Sequence, residues 1–147
     1  ARMARRIDCG VIVTIDYGDV AEELYADHRM DGTLLCYRRH IVHDNPYIYV
    51  GEQDMTANVD FSACIAAGAA AGVRSWTLMT QRDFLLQNGV LEMFRPPATT
   101  DPFSPEMRRN RAIRQLLFGD GMGERFKVLI QHVDKRHADD ERHSDER

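Results

Sequence analysis

The run Gly10-Val11-Ile12-Val13-Thr14-Ile15-Asp16-Tyr17-Gly18 constrains the fold more than any other part of this 147-residue chain. It is apolar and β-branched, and it stops on an acid, an aromatic and a glycine. A run without polar alternation reads as a strand buried on both faces, as inside parallel α/β sheets. In open α/β folds the ligand crevice lies beyond the carboxyl ends of the strands. Topology alone therefore places Asp16, Tyr17 and Gly18 at a candidate site.

The rest of the chain supplies partners for such a strand. Val20 and Leu24 share one face of a short helix between Asp19 and Met30, with Asp19 as its cap. Asp31-Gly32 is a turn, and Thr33 to Tyr37 reads as a strand running into Arg38-Arg39-His40. Tyr47 to Val50 reads as a further short strand, and Glu52 to Thr56 as a loop. From Asp60, the residues Phe61, Cys64, Ile65, Gly68 and Gly72 form one stripe of a helix flanked by alanines. So small a surface predicts close packing against a sheet, with Gly72 at the C-terminal stop. Arg74 to Met79 follows as a strand, giving the strand, helix, strand order of an α/β fold, with Trp76 read as core. Gln81 opens another helix towards Gly89.

Pro96 to Pro102 is a surface loop, and Ser104-Pro105-Glu106 starts a helix with a cap, a first-turn proline and an early acid that runs to Gly119. Gly119, Gly121 and Gly123 read as a flexible turn before a final strand, Phe126 to Ile130. Residues 134–147 form an almost wholly charged tail, expected to be solvated.

Composition narrows the function classes. A net charge of -4 argues against nucleic acid as a partner, and the longest apolar run, Cys64 to Val73, falls short of the ~20 residues a bilayer span demands. Cys9, Cys36 and Cys64 fit reduced thiols, and no spacing reads as a metal site; His40, His43 and Asp44 lack a second ligand cluster. Ala1-Arg2-Met3-Ala4-Arg5-Arg6 is basic but leads straight into a strand, so an intracellular location is the default expectation. The arginines from Arg108 to Arg114 read as a solvated helix face. Gly121-Met122-Gly123 follows a helix and precedes a strand, the wrong order for a nucleotide-binding loop.

Asp16, Tyr17, Tyr37 and His40 are the residues placed for chemistry, with turn and packing roles as the alternatives. A carboxylate ending a buried strand needs donors, either from the following turn or from a ligand. Tyr37 and His40 are an aromatic and imidazole pair suited to cation binding or proton transfer. Asp54, Thr56 and Asp60 precede the alanine-rich helix, where at least one is expected to cap it.

Five segments together resemble one family: Ile15-Asp16-Tyr17-Gly18; Gly32-Thr33-Leu34 with Tyr37 and His40; Gly51-Glu52-Gln53-Asp54-Met55-Thr56-Ala57-Asn58-Val59-Asp60-Phe61; Thr80-Gln81-Arg82-Asp83-Phe84-Leu85; and Gly121-Met122-Gly123-Glu124-Arg125-Phe126-Lys127-Val128-Leu129. They are similar to the MidA family of S-adenosylmethionine-dependent methyltransferases, which includes a mitochondrial protein that methylates an arginine during complex I assembly. The resemblance implies the C-terminal portion, residues 1–133, of a Rossmann-like class I methyltransferase fold. Val11 to Asp16 would be its fifth strand, Arg74 to Met79 its sixth and Phe126 to Ile130 its seventh, with added strands or loops between fifth and sixth. It implies S-adenosylmethionine as the cofactor of the complete protein and a protein substrate, in bacterial cytoplasm or mitochondrial matrix.

The glycine-rich loop, the ribose-binding acid and the acidic-aromatic segment of such a fold have no counterpart in these residues. No cofactor-binding residue is therefore assigned, and the chain alone is expected to be inactive. Asp16, Tyr17, Tyr37, His40 and Asp54 fall to the substrate side of the crevice. An alternative is a non-catalytic protein-binding module of the same fold, dimeric through an exposed strand edge.

Overall fold

The computed structural model describes residues 2–29, 31–96, 101–119 and 121–135. A four-stranded mixed sheet is built from β1 (Cys9–Asp19), β5 (Val59–Asp60), β6 (Ser75–Thr80) and β7 (Phe126–Asp134), in the order β5-β1-β7-β6. β7 runs antiparallel to both neighbours, from Cys9↔Asp134 to Tyr17↔Phe126 on one side and from Ser75↔His132 to Thr80↔Lys127 on the other. β5 pairs in parallel with only the last two residues of β1, Gly18↔Val59 and Asp19↔Asp60. Between β1 and β5 the chain makes a separate antiparallel sheet, β3-β2-β4, from β2 (Leu35–Arg38), β3 (Ile41–His43) and β4 (Asp54–Thr56). This small sheet is the expected insertion between the fifth and sixth strands of a Rossmann-like methyltransferase fold.

The helices follow from local signals. α1 (Ala21–Leu24) is a single turn, and Ser62 Oγ accepts the Ala21 amide proton at its start, 3.0 Å away. Asp19 does not cap it as expected; the N-cap is Val20, whose amide donates to the Asp19 carboxylate. α2 (Phe61–Ala69) begins at Asp60, whose carboxylate accepts from the Ala63 amide at 3.0 Å, the expected capping role. Its small-residue stripe lets it lie flat on the sheet: a side chain at buried Gly68 would run into Gln131 of β7, whose amide donates to the Cys64 carbonyl. α3 (Gln81–Gln87) is capped by Thr80, α4 (Pro105–Phe118) by Ser104, and α5 (Met122–Arg125) leads into β7.

Two apolar clusters hold the layers together. Ala4, Val73 and Val133 are buried beside Ile7, Ile12 and Ala71. Val90, Ile113 and Leu117 are buried beside Leu85 and Phe94, joining α3, α4 and the 3-10 turn Val90–Met93. No helix among the described residues is long and apolar enough to cross a membrane.

Several expectations are corrected. β1 is not buried on both faces. Its burial alternates, and Val11, Val13 and Ile15 are each 49% exposed, because only the face carrying Ile12 packs against the first cluster. Trp76 is 47% exposed, since β6 is the edge strand of its sheet. Tyr47 to Val50 is a turn, held by an Asn45 side chain that accepts from the Tyr47 amide and by a positive φ at Tyr49. Asp54–Thr56, read as loop, is β4. The glycines at 121 and 123 belong to the start of α5, where Gly123 is buried with no room for a side chain against the Leu117 carbonyl. The loop from Pro97 to residue 100 and the tail from residue 136 lie outside the described residues.

Among the described residues, buried polar atoms of two side chains lack a partner: both ring nitrogens of His43 and the Gln53 Oε1. His43 of β3 stands opposite Cys36 and edge-on to Tyr49, and neither ring nitrogen has a hydrogen-bond partner among the described residues. An unpaired buried polar atom costs its desolvation without return, so an apolar replacement of similar size removes a cost. His43→Leu is expected to raise stability by about 1 kcal/mol. Chemical denaturation checks this, and a lowered midpoint would show that the ring has a partner in solution.

Candidate functional site

The carboxyl end of β1 opens into a cavity of about 480 Å3. β1 contributes Tyr17, Gly18 and Asp19; the 3-10 turn Asp27–Arg29 contributes Arg29; β2 contributes Leu35 and Tyr37. β4 contributes Thr56, the segments flanking the small sheet contribute Thr33 and Asn58, and the junction of α5 and β7 contributes Glu124, Arg125 and Phe126. This is the crevice that strand topology predicts.

Gly18 makes the floor possible. A Cβ there would overlap the Val59 carbonyl oxygen and lie 2.8 Å from the Val59 nitrogen, so only glycine allows β5 to dock on β1. That docking brings Asn58 to the cavity, where the Thr33 hydroxyl accepts from its amide at 3.1 Å. Tyr17 meets Phe126 across the β1–β7 ladder, edge to face with centroids 5.7 Å apart.

The acids of the cavity are already engaged. Asp19 faces the Lys127 ammonium at 3.6 Å, and Glu124 pairs with Arg82 at 2.5 Å. Arg29 and Arg125 have no side-chain hydrogen bond or ion pair among the described residues. The cavity thus combines aromatic rings with two uncommitted guanidinium groups.

The five residues singled out in the sequence separate in space. Tyr17 and Tyr37 come together in the cavity, and Tyr37 is 38% exposed there. Asp54 stands directly across from Tyr37 in the β2–β4 ladder and lines a shallower groove with it, beside the Arg38–Glu52 ion pair. Asp16 lines neither; its carboxylate accepts from the Tyr17 amide at 2.8 Å, and its strand position pairs with Lys127. His40 is exposed in the two-residue turn between β2 and β3, where Arg39 and His40 both have positive φ, the geometry of a type I′ hairpin. It lines neither the cavity nor the groove.

Arg29, Asn58 and Arg125 escaped the sequence reading as site residues. Asn58 and Arg125 sit inside segments that carried the family resemblance, which was the available signal. Arg29 follows a helix of one turn and had none. The same segments are tied to one another: Arg82 to Glu124, and Thr33 to Asn58.

No group of three or more His, Cys, Asp or Glu side chains among the described residues is placed to hold a metal ion. Nor do these residues build a strand, glycine loop and helix cradle for an adenosyl cofactor. Gly18, the glycine nearest the end of β1, lies within the strand and is backed by Val59, and Val20 alone leads into the one helical turn of α1.

Comparison with known proteins defines the class. Residues 1–79 match the model of the family described as "Putative S-adenosyl-L-methionine-dependent methyltransferase", more than half of the chain. The chain belongs to this family, whose cofactor is S-adenosylmethionine. A crystal structure of an uncharacterized ACR superfamily protein from Burkholderia thailandensis is 34% identical, with a TM-score of 0.80 over 90% of this chain and 36% of that one. A second from the same superfamily and organism, described as a "likely methyl transferase" and bound to S-adenosyl-homocysteine, is 34% identical, with a TM-score of 0.79 over 90% of this chain and 34% of that one. The chain therefore spans about a third of the length of these relatives. No curated protein gives a significant match.

Proposed function

We propose that this chain forms the acceptor side of an S-adenosylmethionine-dependent methyltransferase of the MidA type, as its C-terminal portion, and that the acceptor is an arginine of a protein substrate. The observation that carries the reading is the cavity at the end of β1, where Tyr17, Tyr37 and Phe126 present aromatic rings beside Asn58. Aromatic faces attract a guanidinium, and edges and amides orient it. The donor supplies the methyl group. The residues here hold the acceptor and keep water from it, contributions that come from positioning.

That the chain spans about a third of its relatives supports a division of labour, in which the methyl donor is held by other parts of the complete protein. A relative that is 34% identical and about three times as long holds S-adenosyl-homocysteine. Asp54 stands across from Tyr37 and lines the neighbouring groove with it, so it reaches the cavity through that shared tyrosine. The free edge and exposed apolar face of β1 favour association of the isolated chain with a second copy. Incubation of the complete protein with methyl-labelled S-adenosylmethionine and an arginine-containing protein, followed by amino-acid analysis, tests the acceptor. Label in methylarginine is the expected result; label confined to another residue type overturns it.

A further inference from the structure

The charge arrangement of the cavity points beyond the acceptor residue itself. Its two acids are each held by a basic neighbour, Asp19 by Lys127 and Glu124 by Arg82, while Arg29 and Arg125 are uncommitted among the described residues. Counting these six groups, the surroundings carry two positive charges in excess. Two guanidinium groups lining one cavity suit a carboxylate, which each can bind through paired donors. An isolated cationic side chain entering such a cavity meets repulsion unless an anion arrives with it.

We infer that Arg29 and Arg125 receive an acidic side chain of the substrate polypeptide, so that this enzyme selects arginines lying beside aspartate or glutamate. The inference rests on the proposed acceptor reading and adds its sequence preference. Arg29 is half-buried and held at the turn that follows α1, whereas Arg125 ends α5 directly before β7. The two cations therefore come from separate elements and line the same cavity as Tyr17 and Phe126. The bound carboxylate cancels the excess charge beside the rings and lets the neighbouring guanidinium of the substrate settle on them.

Two labelled nine-residue peptides test this with the complete protein: one with a central arginine flanked by aspartates, the other with asparagines in their place. Binding is followed by fluorescence anisotropy at low and high salt, with S-adenosyl-homocysteine present. The aspartyl peptide should bind about tenfold more tightly at low salt, and the advantage should shrink at high salt. Arg29→Gln together with Arg125→Gln should abolish the advantage, while the paired lysine variants, Arg29→Lys and Arg125→Lys, retain part of it. Equal affinity for the two peptides would overturn the inference. So would an advantage that survives the double glutamine variant, or a loss confined to S-adenosyl-homocysteine affinity, which would assign the pair to the cofactor. Methyl transfer to the same peptides separates the two claims. Acid-dependent binding without methylation of arginine would overturn the acceptor reading and leave the acidic contact standing.

Discussion

Replacing Gly18 with alanine is expected to separate β5 from β1 and to cost about 3 kcal/mol of stability. The added carbon has nowhere to go: the Val59 carbonyl occupies its position, and Val59 belongs to the backbone, which cannot rotate away as a side chain can. β5 pairs with β1 only at Gly18 and Asp19, so a shift at one of two paired positions removes the strand from the sheet. Its loss carries Asn58 out of the cavity and disturbs Asp60, the cap of α2. Urea denaturation with amide exchange at Val59 and Asp60 measures both consequences. An unchanged midpoint would mean that β5 does not dock on β1 in solution.

The second large effect concerns the other side of β1. From residue 10 to residue 17 that edge makes no strand pairing among the described residues, and Val11, Val13 and Ile15 expose about half their surface on the adjoining face. An apolar strand with a free edge is a template for another strand. The isolated chain should therefore associate through β1 with a second copy, and sedimentation should shift with concentration. Val13→Lys together with Ile15→Lys should weaken association at least about tenfold, because pairing would then bring lysines from both copies together. A wild-type chain that sediments as a monomer throughout would contradict this.

The longer elements were legible because their periodicity is local. β1, α2, β6, α3 and α4 each begin and end close to where their residues predict, with Asp60 and Ser104 at their expected helix starts, while β7 starts at Phe126 as read but runs past Ile130 to Asp134, because β1 pairs it as far as Cys9. The small sheet was harder to read. Its strands are three or four residues long, too short to show alternation, so β4 read as loop and the turn at Tyr47 to Val50 read as strand. Tyr47, Ile48, Tyr49 and Val50 have the right β propensity, yet Asn45 and the positive φ at Tyr49 fold them into a turn. β1 misled in another way, since its apolar residues point to both faces while only one face finds a partner. Within the site, Tyr17 was legible from strand topology. Arg29 and Arg125 were not, because what distinguishes them is the absence of a partner, and their neighbours Glu124 and Asp19 are claimed by distant residues.

The most direct test of the central claim, that the cavity at the end of β1 serves the methyl acceptor and not the cofactor, is a paired measurement on Tyr37→Ala in the complete protein. The account predicts that kcat/KM for the arginine acceptor falls about tenfold or more while the Kd for S-adenosylmethionine changes less than about twofold. A variant that loses affinity for S-adenosylmethionine yet retains its acceptor kinetics would contradict it.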